Sequence, residues 1–105
     1  MRIARVIGRV TLSRVTPALE GGRWLIASPF LAEQLENWDT DKETRSPEAS
    51  AVVYDDIGGG IGDTIAYVEG REASMPFPEP SPVDAFNSAI VDQINYQPGP
   101  GSFGK

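Results

Sequence analysis

The feature that most constrains this chain is a glycine-rich segment that separates two short runs of β-forming residues. Four glycines fall within the five positions from Gly58 to Gly62. Residues 51–54 precede them and residues 64–68 follow, and both runs are rich in the β-branched and aromatic residues that favour strands. Because glycine accepts positive φ and lets two backbones approach closely, the segment predicts a tight turn between strands or a contact at a symmetry axis.

The residues around the glycines argue against a phosphate-binding loop. A P-loop needs Lys and then Ser or Thr after its last glycine, to hold phosphates and magnesium. Here Asp63 precedes Thr64, and its carboxylate would repel phosphates. Asp63 also stands at the third glycine position of the dinucleotide fingerprint, and both motifs require a helix where this chain has a strand pattern. We therefore expect no nucleotide or other cofactor at this turn.

Three aspartates flank the turn: Asp55, Asp56 and Asp63. Carboxylates near exposed carbonyls can bind calcium, but the spacing of a calcium-binding loop is missing. A pair of acids can also perform acid–base catalysis when burial separates their pKa values. We favour solvated turn acids over both alternatives, and the catalytic alternative requires that these acids be buried in a cleft.

The N-terminal part predicts a long β-hairpin. Residues 3–13 alternate between apolar or small side chains and mostly polar ones, which is typical of a half-buried strand. Gly8 within this strand indicates a bend or bulge where a small barrel turns a corner. A turn at Gly21 and Gly22 leads to a second predicted strand over residues 23–28.

The middle of the chain predicts a surface loop and a single helical turn. Residues 31–50 are polar and lack sustained periodicity, which is typical of a loop. Trp38 within it either anchors a contact with another protein or packs back onto its own barrel. Residues 71–74 indicate one turn of helix.

The C-terminal part predicts a short helix over about residues 82–95. Ser81 and Pro82 form a helix-start pattern, with an N-cap serine before a proline at the first helical position. An apolar stripe at helical spacing would dock this helix on the barrel. The stripe consists of Val83, Phe86, Ile90 and Ile94, and the polar residues outside it are Asn87, Ser88, Asp92 and Gln93.

The length of 105 residues leaves room for one small hydrophobic core. We predict a single domain over residues 1–96 and a flexible tail over residues 97–105, which is rich in proline and glycine. Association between copies would be a natural source of further stability for so small a core.

Composition argues against most function classes. The chain contains no cysteine and no histidine, so disulfides, thiolate nucleophiles, imidazole bases and the usual transition-metal ligands are absent. Nine basic and fifteen acidic residues give a net charge of −6, the wrong sign for binding phosphate backbones. The N-terminal run is too short and too interrupted by arginine for a signal peptide, and nothing approaches a membrane span. We therefore expect a cytoplasmic, non-catalytic protein with no metal, nucleic-acid or membrane partner.

Several ordered segments resemble the pentameric vertex proteins of bacterial microcompartments, the ethanolamine-utilisation and carboxysome shell proteins. Residues 1–10 (MRIARVIGRV) resemble their first strand, and residues 19–29 (LEGGRWLIASP) resemble their second. Residues 53–68 resemble their acid, glycine and strand segment, in which GGGIGD is the most specific piece. Residues 83–85 together with residues 89–92 resemble their C-terminal segment. Together these segments cover most of the predicted barrel.

This resemblance implies a mainly β fold: a small OB-like closed β-barrel with a short C-terminal helix, which assembles as a cyclic homopentamer. It implies a structural role in the shell of a bacterial microcompartment, where the pentamers cap the five-fold vertices beside hexameric and trimeric shell proteins. We expect the subunit interface or ring axis to include the first strand and the glycine segment. The expected residues are Arg5, Arg9, Gly58, Gly59, Gly60, Ile61, Gly62 and Asp63. The two arginines are either partners for neighbouring carboxylates or solvent-exposed residues of little energetic value.

A second hypothesis keeps the barrel and gives it another function, as a module that binds single-stranded nucleic acid or another ligand without any shell role. That common use of OB-like barrels needs a basic groove with stacking aromatic residues. An acidic chain with scattered aromatic residues does not favour it. Salt-dependent binding of the protein to single-stranded oligonucleotides would support this hypothesis.

Overall fold

The computed structural model describes residues 1–31, 35, 49–77 and 82–95. Most of the loop 31–50, including Trp38, and the tail 97–105 lie outside the described residues, so the expectations for them stay predictions. No described helix is long and apolar enough to cross a membrane. The regular elements are β1 (Arg2–Val10), a 3-10 turn (Pro17–Leu19), β2 (Arg23–Pro29), β3 (Ala51–Asp55), β4 (Thr64–Glu69), α1 (Arg71–Ser74) and β5 (Ala85–Ile90).

The five strands close into a barrel in the order β1, β2, β3, β5, β4. β1 is antiparallel to both of its neighbours, β2 and β4, and β2 is antiparallel to β3. β5 is parallel to β3 and antiparallel to β4. Closure gives every strand a partner on both sides, which removes exposed sheet edges. The predicted closed barrel and the predicted β1–β2 hairpin are confirmed.

Apolar side chains fill the interior of the barrel because the strands alternate between an inner and an outer face. Tyr67 is the largest fully buried side chain. Small residues accompany it, as expected where a narrow barrel must fit large and small side chains together. The interior cluster consists of Ala4, Val6, Leu25, Ala27, Val53, Ile65, Tyr67 and Ala85.

Two bulges interrupt the strand pairing. The register between β1 and β2 skips Ile7, which confirms the irregularity predicted from Gly8. A second bulge lies in β5, where the register with β4 skips Ser88, between Asn87 and Ala89. Bulges bend a strand and redirect the neighbouring side chains, and they are common at the rims of barrels.

A second apolar cluster, the outer aromatic cluster, packs on the outside of the barrel around Tyr54. The Tyr54 ring meets Trp24 and Phe77 edge to face, with centroid distances of 5.3 Å and 5.1 Å, and stacks on Phe86 at 5.6 Å. The helix α1 covers this face by inserting the buried Ala73. The cluster consists of Val15, Leu19, Trp24, Tyr54, Val68, Ala73, Phe77, Val83 and Phe86.

The C-terminal helix expected over residues 82–95 is wrong, because Ala85–Ile90 form strand β5. Val83, Ala85 and Asn87 are buried at every second position, which is the period of a strand. The barrel explains this outcome, since β5 supplies partners to the edges of β3 and β4. The helical turn expected at residues 71–74 is confirmed as α1, so this helix precedes the last strand.

Candidate functional site

The glycine turn, defined as residues 57–63, connects β3 to β4 and is organised by the last side chain of β3. Asp55 is fully buried. Its Oδ2 accepts hydrogen bonds from the backbone N–H groups of Gly58 (3.2 Å) and Gly59 (2.9 Å). Its Oδ1 accepts a longer one from the N–H of Ile57, at 3.4 Å. The interpretation of Asp55 as a solvated turn acid is therefore wrong.

Asn87 on β5 completes the surroundings of this carboxylate. Its Nδ2 donates to Asp55 Oδ1 at 2.8 Å, and its own Oδ1 accepts from the N–H of Ala89 at 3.3 Å, across the Ser88 bulge. Arg23 is more distant, with its Nε 3.9 Å from Asp55 Oδ2 and its side chain about half exposed. A buried carboxylate is costly unless it is hydrogen bonded. Here uncharged donors supply the close hydrogen bonds.

The second half of the glycine turn is fixed by Asp63 and by β1. Asp63 Oδ2 accepts from the N–H of Gly60 at 2.9 Å, and the N–H of Asp63 donates to the Gly60 carbonyl at 3.0 Å. The N–H of Gly62 donates to the Val6 carbonyl at 2.9 Å, and the N–H of Val6 donates to the Asp63 carbonyl at 2.8 Å. These last two bonds hold the turn against β1 beside its bulge at Ile7.

Two glycines of the turn have a backbone conformation that other residue types rarely adopt. Gly58 and Gly62 have φ values of 94° and 95°, where a Cβ would be strained. The turn also carries two exposed aliphatic side chains, Ile57 at 47% and Ile61 at 67% exposure. It therefore presents apolar surface on a backbone that is hydrogen bonded to the barrel.

The two predicted arginines lie in different surroundings. Arg5 is only 5% exposed, and its guanidinium lies 5.3 Å from the centre of the Phe30 ring. Arg5 is paired in register with Thr64, directly after the glycine turn, so the turn and this part of β1 adjoin. Arg9 is exposed and lines a groove between β1 and β2 together with Arg23. Solvent exposure is therefore wrong for Arg5 and holds for Arg9 within the single subunit.

The arrangement of the acids favours a structural role. Asp55 uses its carboxylate oxygens to accept hydrogen bonds from the turn and from Asn87. Asp56 is exposed and Asp63 is half-buried, so the three acids do not form the buried pair that the catalytic hypothesis requires. Within the part of the chain that the structure describes, no group of three or more acidic, histidine or cysteine side chains is placed to hold a metal ion.

Sequence reasoning named Asp55 as an acid beside the turn but missed its hydrogen bonds to the turn, and it did not name Asn87 as a member of this site. A signal for Asp55 was present, because it keeps the alternation of Val53 and ends a strand just before a glycine turn. Aspartate in that position commonly accepts hydrogen bonds from backbone N–H groups a few residues later. Asn87 gave no such signal, since its partner is 32 residues away in the chain.

The sequence matches the protein-family model described as "Ethanolamine utilisation protein EutN/carboxysome" over residues 1–92. No curated protein matches the chain significantly. The fold is similar to that of EutN from Escherichia coli, with 24% identity, coverage of 91% of this chain and 89% of that one, and a TM-score of 0.72. It is also similar to CcmL from Gloeobacter violaceus, with 25% identity, coverage of 91% and 90%, and a TM-score of 0.71. A third similar structure is described as the GrpN pentameric microcompartment shell protein from Rhodospirillum rubrum, with 23% identity, coverage of 92% and 99%, and a TM-score of 0.70.

Proposed function

Because the chain belongs to the EutN/CcmL family, we propose that it is a structural shell protein, and not an enzyme, which assembles into a ring of five. We propose further that these rings occupy the five-fold vertices of a bacterial microcompartment and close its shell. The observation that carries the proposal is the family match, which runs through all five strands of the barrel. The similar GrpN structure, described as pentameric, supports the number of copies in the ring.

The mechanism of such a protein is geometric. A flat layer of six-fold units cannot close on itself, whereas a five-fold unit in place of a six-fold one removes a wedge and introduces curvature. A ring of five needs a head-to-tail interface, in which two different faces of each subunit meet and the rotation closes after five copies. The angle between those two faces is therefore the quantity that the fold has to fix.

We propose that the ring contacts involve residues 58–63 and β1, with Arg5 beside the glycine turn and Arg9 farther along the strand. The exposed Ile61 would lose water contact against a neighbouring copy, which favours association. The exposed Arg9 is available to a carboxylate of the neighbour. Such an ion pair would offset part of the repulsion between copies that each carry a net charge of −6. Arg5 is buried beside the ring of Phe30 and would support β1 within its own subunit.

The proposed partners beyond the ring are the hexameric and trimeric shell proteins that tile the facets. The proposed location is the microcompartment shell in the bacterial cytoplasm. Family membership supports both proposals. We propose neither a membrane nor nucleic acid as a partner, because the acidic net charge disfavours phosphate-rich surfaces.

Native mass spectrometry tests the ring. We expect a species of five copies for the full chain at about micromolar concentration, because the Kd values of stable interfaces lie at or below that concentration. Monomers alone at that concentration would refute the proposal. Co-expression with a shell-forming hexamer tests the vertex role: electron microscopy should reveal closed polyhedra with this chain present, and open sheets or tubes without it.

A pair of substitutions tests where the ring contacts lie. Ile61→Asp places a charge on the glycine turn and should remove the five-copy species, because burying an unpaired charge is costly. Met75→Asp is the matched control, since Met75 is 78% exposed and lies outside the turn. If both variants lose their rings equally, or if neither does, the ring contact lies elsewhere than at the turn. Either result leaves the proposed shell role unaffected.

A further inference from the structure

We infer that Asp55 is a positioning residue for ring assembly, which sets the shape of the glycine turn by accepting hydrogen bonds from its backbone. The inference rests on the proposed function, because it requires the turn to meet a neighbouring copy. It adds that a buried side chain, with no surface of its own to offer a partner, decides whether the exposed contact can form.

The first support is the direction of three successive backbone N–H groups. Those of Ile57, Gly58 and Gly59 all donate to the one carboxylate of Asp55, although none of them belongs to a strand. Hydrogen bonds to a charged acceptor are about twice as strong as neutral ones. A single buried anion therefore selects one backbone path for the first half of the turn, and the positive φ of Gly58 belongs to that path.

The second support is the way the turn is tied to strands on both sides of β4. Asn87 connects the Asp55 carboxylate to β5, at the bulge of that strand. Val6 connects Gly62 and Asp63 to β1, beside the other bulge. In the barrel, β4 lies between β5 and β1. The turn that leads into β4 is thus held to the barrel from both flanks, so its exposed residues keep a fixed direction.

A fixed direction matters because a closed ring tolerates little variation in the angle between its contact faces. A turn that samples several shapes presents the productive shape for only a fraction of the time, and the apparent affinity is reduced to that fraction of its full value. Loss of the Asp55 carboxylate should therefore weaken assembly more than it weakens the barrel, whose apolar interior cluster does not include Asp55.

Amide hydrogen exchange in the full-length protein tests the first step. In the wild type, the N–H groups of residues 57–59 should exchange slowly for residues outside a strand. In Asp55→Asn they should exchange at least about tenfold faster, the factor expected from losing one charge-assisted hydrogen bond. The matched control is Asp56→Asn, which removes the same charge from the adjacent exposed position and should leave these rates unchanged. Rapid exchange of residues 57–59 in the wild type would overturn the inference even if the variant fails to fold.

A swap of the buried pair separates positioning from stability. Asp55→Asn with Asn87→Asp retains one carboxylate and one amide in contact, but the turn now faces the amide. We expect this double variant to recover thermal stability relative to Asp55→Asn, while its five-copy species stays at least about tenfold below wild type in native mass spectrometry. Recovery of rings together with stability would assign Asp55 a purely structural role and overturn the inference.

The outcomes also separate this inference from the proposed function. If Asp55→Asn forms rings at the same yield as the wild type, the positioning role is contradicted and the shell role is unaffected. A wild-type protein that forms no rings refutes the proposed function, and the ring-positioning role falls with it.

Discussion

Tyr54 and Asp55 are adjacent on β3, and the two faces of that strand are stabilised by different physical interactions. Tyr54 points outward into the outer aromatic cluster, where Trp24, Phe77 and Phe86 surround its ring. Asp55 points inward at the end of the barrel and accepts directional hydrogen bonds from the glycine turn. Both side chains are buried, at 4% and 0% exposure.

The difference indicates that one face of β3 contributes mainly to stability and the other mainly to the shape of the glycine turn. Apolar packing is non-directional and grows with the area buried, so the outer aromatic cluster contributes stability without fixing one backbone path. Hydrogen bonds to a buried carboxylate require particular donor positions, so the Asp55 network fixes shape. Substitutions in the cluster should therefore lower the free energy of unfolding, while those in the network should act first on the glycine turn.

Tyr54→Ala should have the largest effect on stability. Removing a buried aromatic side chain costs about 3–5 kcal/mol, because its contacts are lost and a cavity remains. Urea unfolding followed by fluorescence measures this loss. Met75→Ala is the control on the exposed segment next to Phe77, and should change stability by less than about 0.5 kcal/mol. A loss below about 1 kcal/mol in Tyr54→Ala would contradict the assignment of stability to this cluster.

Gly22→Ala should have the next largest effect, because the added Cβ would overlap the ring of Tyr54. Overpacking of this kind costs about 1–3 kcal/mol. A double-mutant cycle with Tyr54→Ala checks the cause: once the ring is gone, alanine at position 22 should cost almost nothing. Additive losses in the double variant would show that Gly22 acts through something other than the Tyr54 ring.

The sequence predicted the first four strands, because each carries a pattern that a strand needs. The predicted first strand ran to residue 13, whereas β1 ends at Val10. The predicted strand over residues 23–28 is observed as Arg23–Pro29, and that over residues 64–68 as Thr64–Glu69. Alternation and β-branched residues specify these elements locally. The glycine turn was also predicted locally, because glycine readily accepts the positive φ that a tight turn between strands requires.

The last strand and the buried carboxylate could not be predicted in the same way. Asn87 is polar, so the sequence pattern assigned it to the solvent side of a helix, and the spacing of Phe86 and Ile90 also fits a helix. The reason for burying Asn87 is Asp55, which lies far away in sequence and is itself polar. Each residue is tolerated inside the barrel because it is hydrogen bonded to the other. The periodicity of a local sequence segment cannot indicate a hydrogen bond between residues so far apart in the chain.

Arg23→Gln should have a smaller effect than either substitution in the outer aromatic cluster. Its Nε lies 3.9 Å from the Asp55 carboxylate and its side chain is about half exposed, so solvent screens the pair. Exposed ion pairs of this kind contribute about 0–1 kcal/mol. Arg2→Gln, which breaks the exposed pair with Glu69, is the matched control. A loss above about 2 kcal/mol for Arg23→Gln alone would mean that the carboxylate depends on charge rather than on the backbone donors.

The smallest predicted effect is a pH dependence that links the two faces of β3. The pKa of Tyr54 is raised from its ordinary value of 10.0, first by burial and then by the negative charges of Asp56 and Asp55. Well below pH 10.0 the phenol is protonated in both folded and unfolded chains, so it adds no pH dependence there. As pH rises further, the unfolded chain releases the proton before the folded chain does, and stability is lost up to the folded pKa.

Tyr54→Phe isolates this loss, because phenylalanine keeps the ring packing and cannot titrate. Urea midpoints at about pH 9 and about pH 11 should fall further in the wild type than in the variant, even though other groups titrate in both proteins. Asp56→Asn should reduce the wild-type fall by a smaller amount, because burial contributes more to the shift than either aspartate does. Equal falls in wild type and Tyr54→Phe would mean that the phenol is solvated in the folded protein, and that the outer aromatic cluster is less closed than its ring contacts indicate.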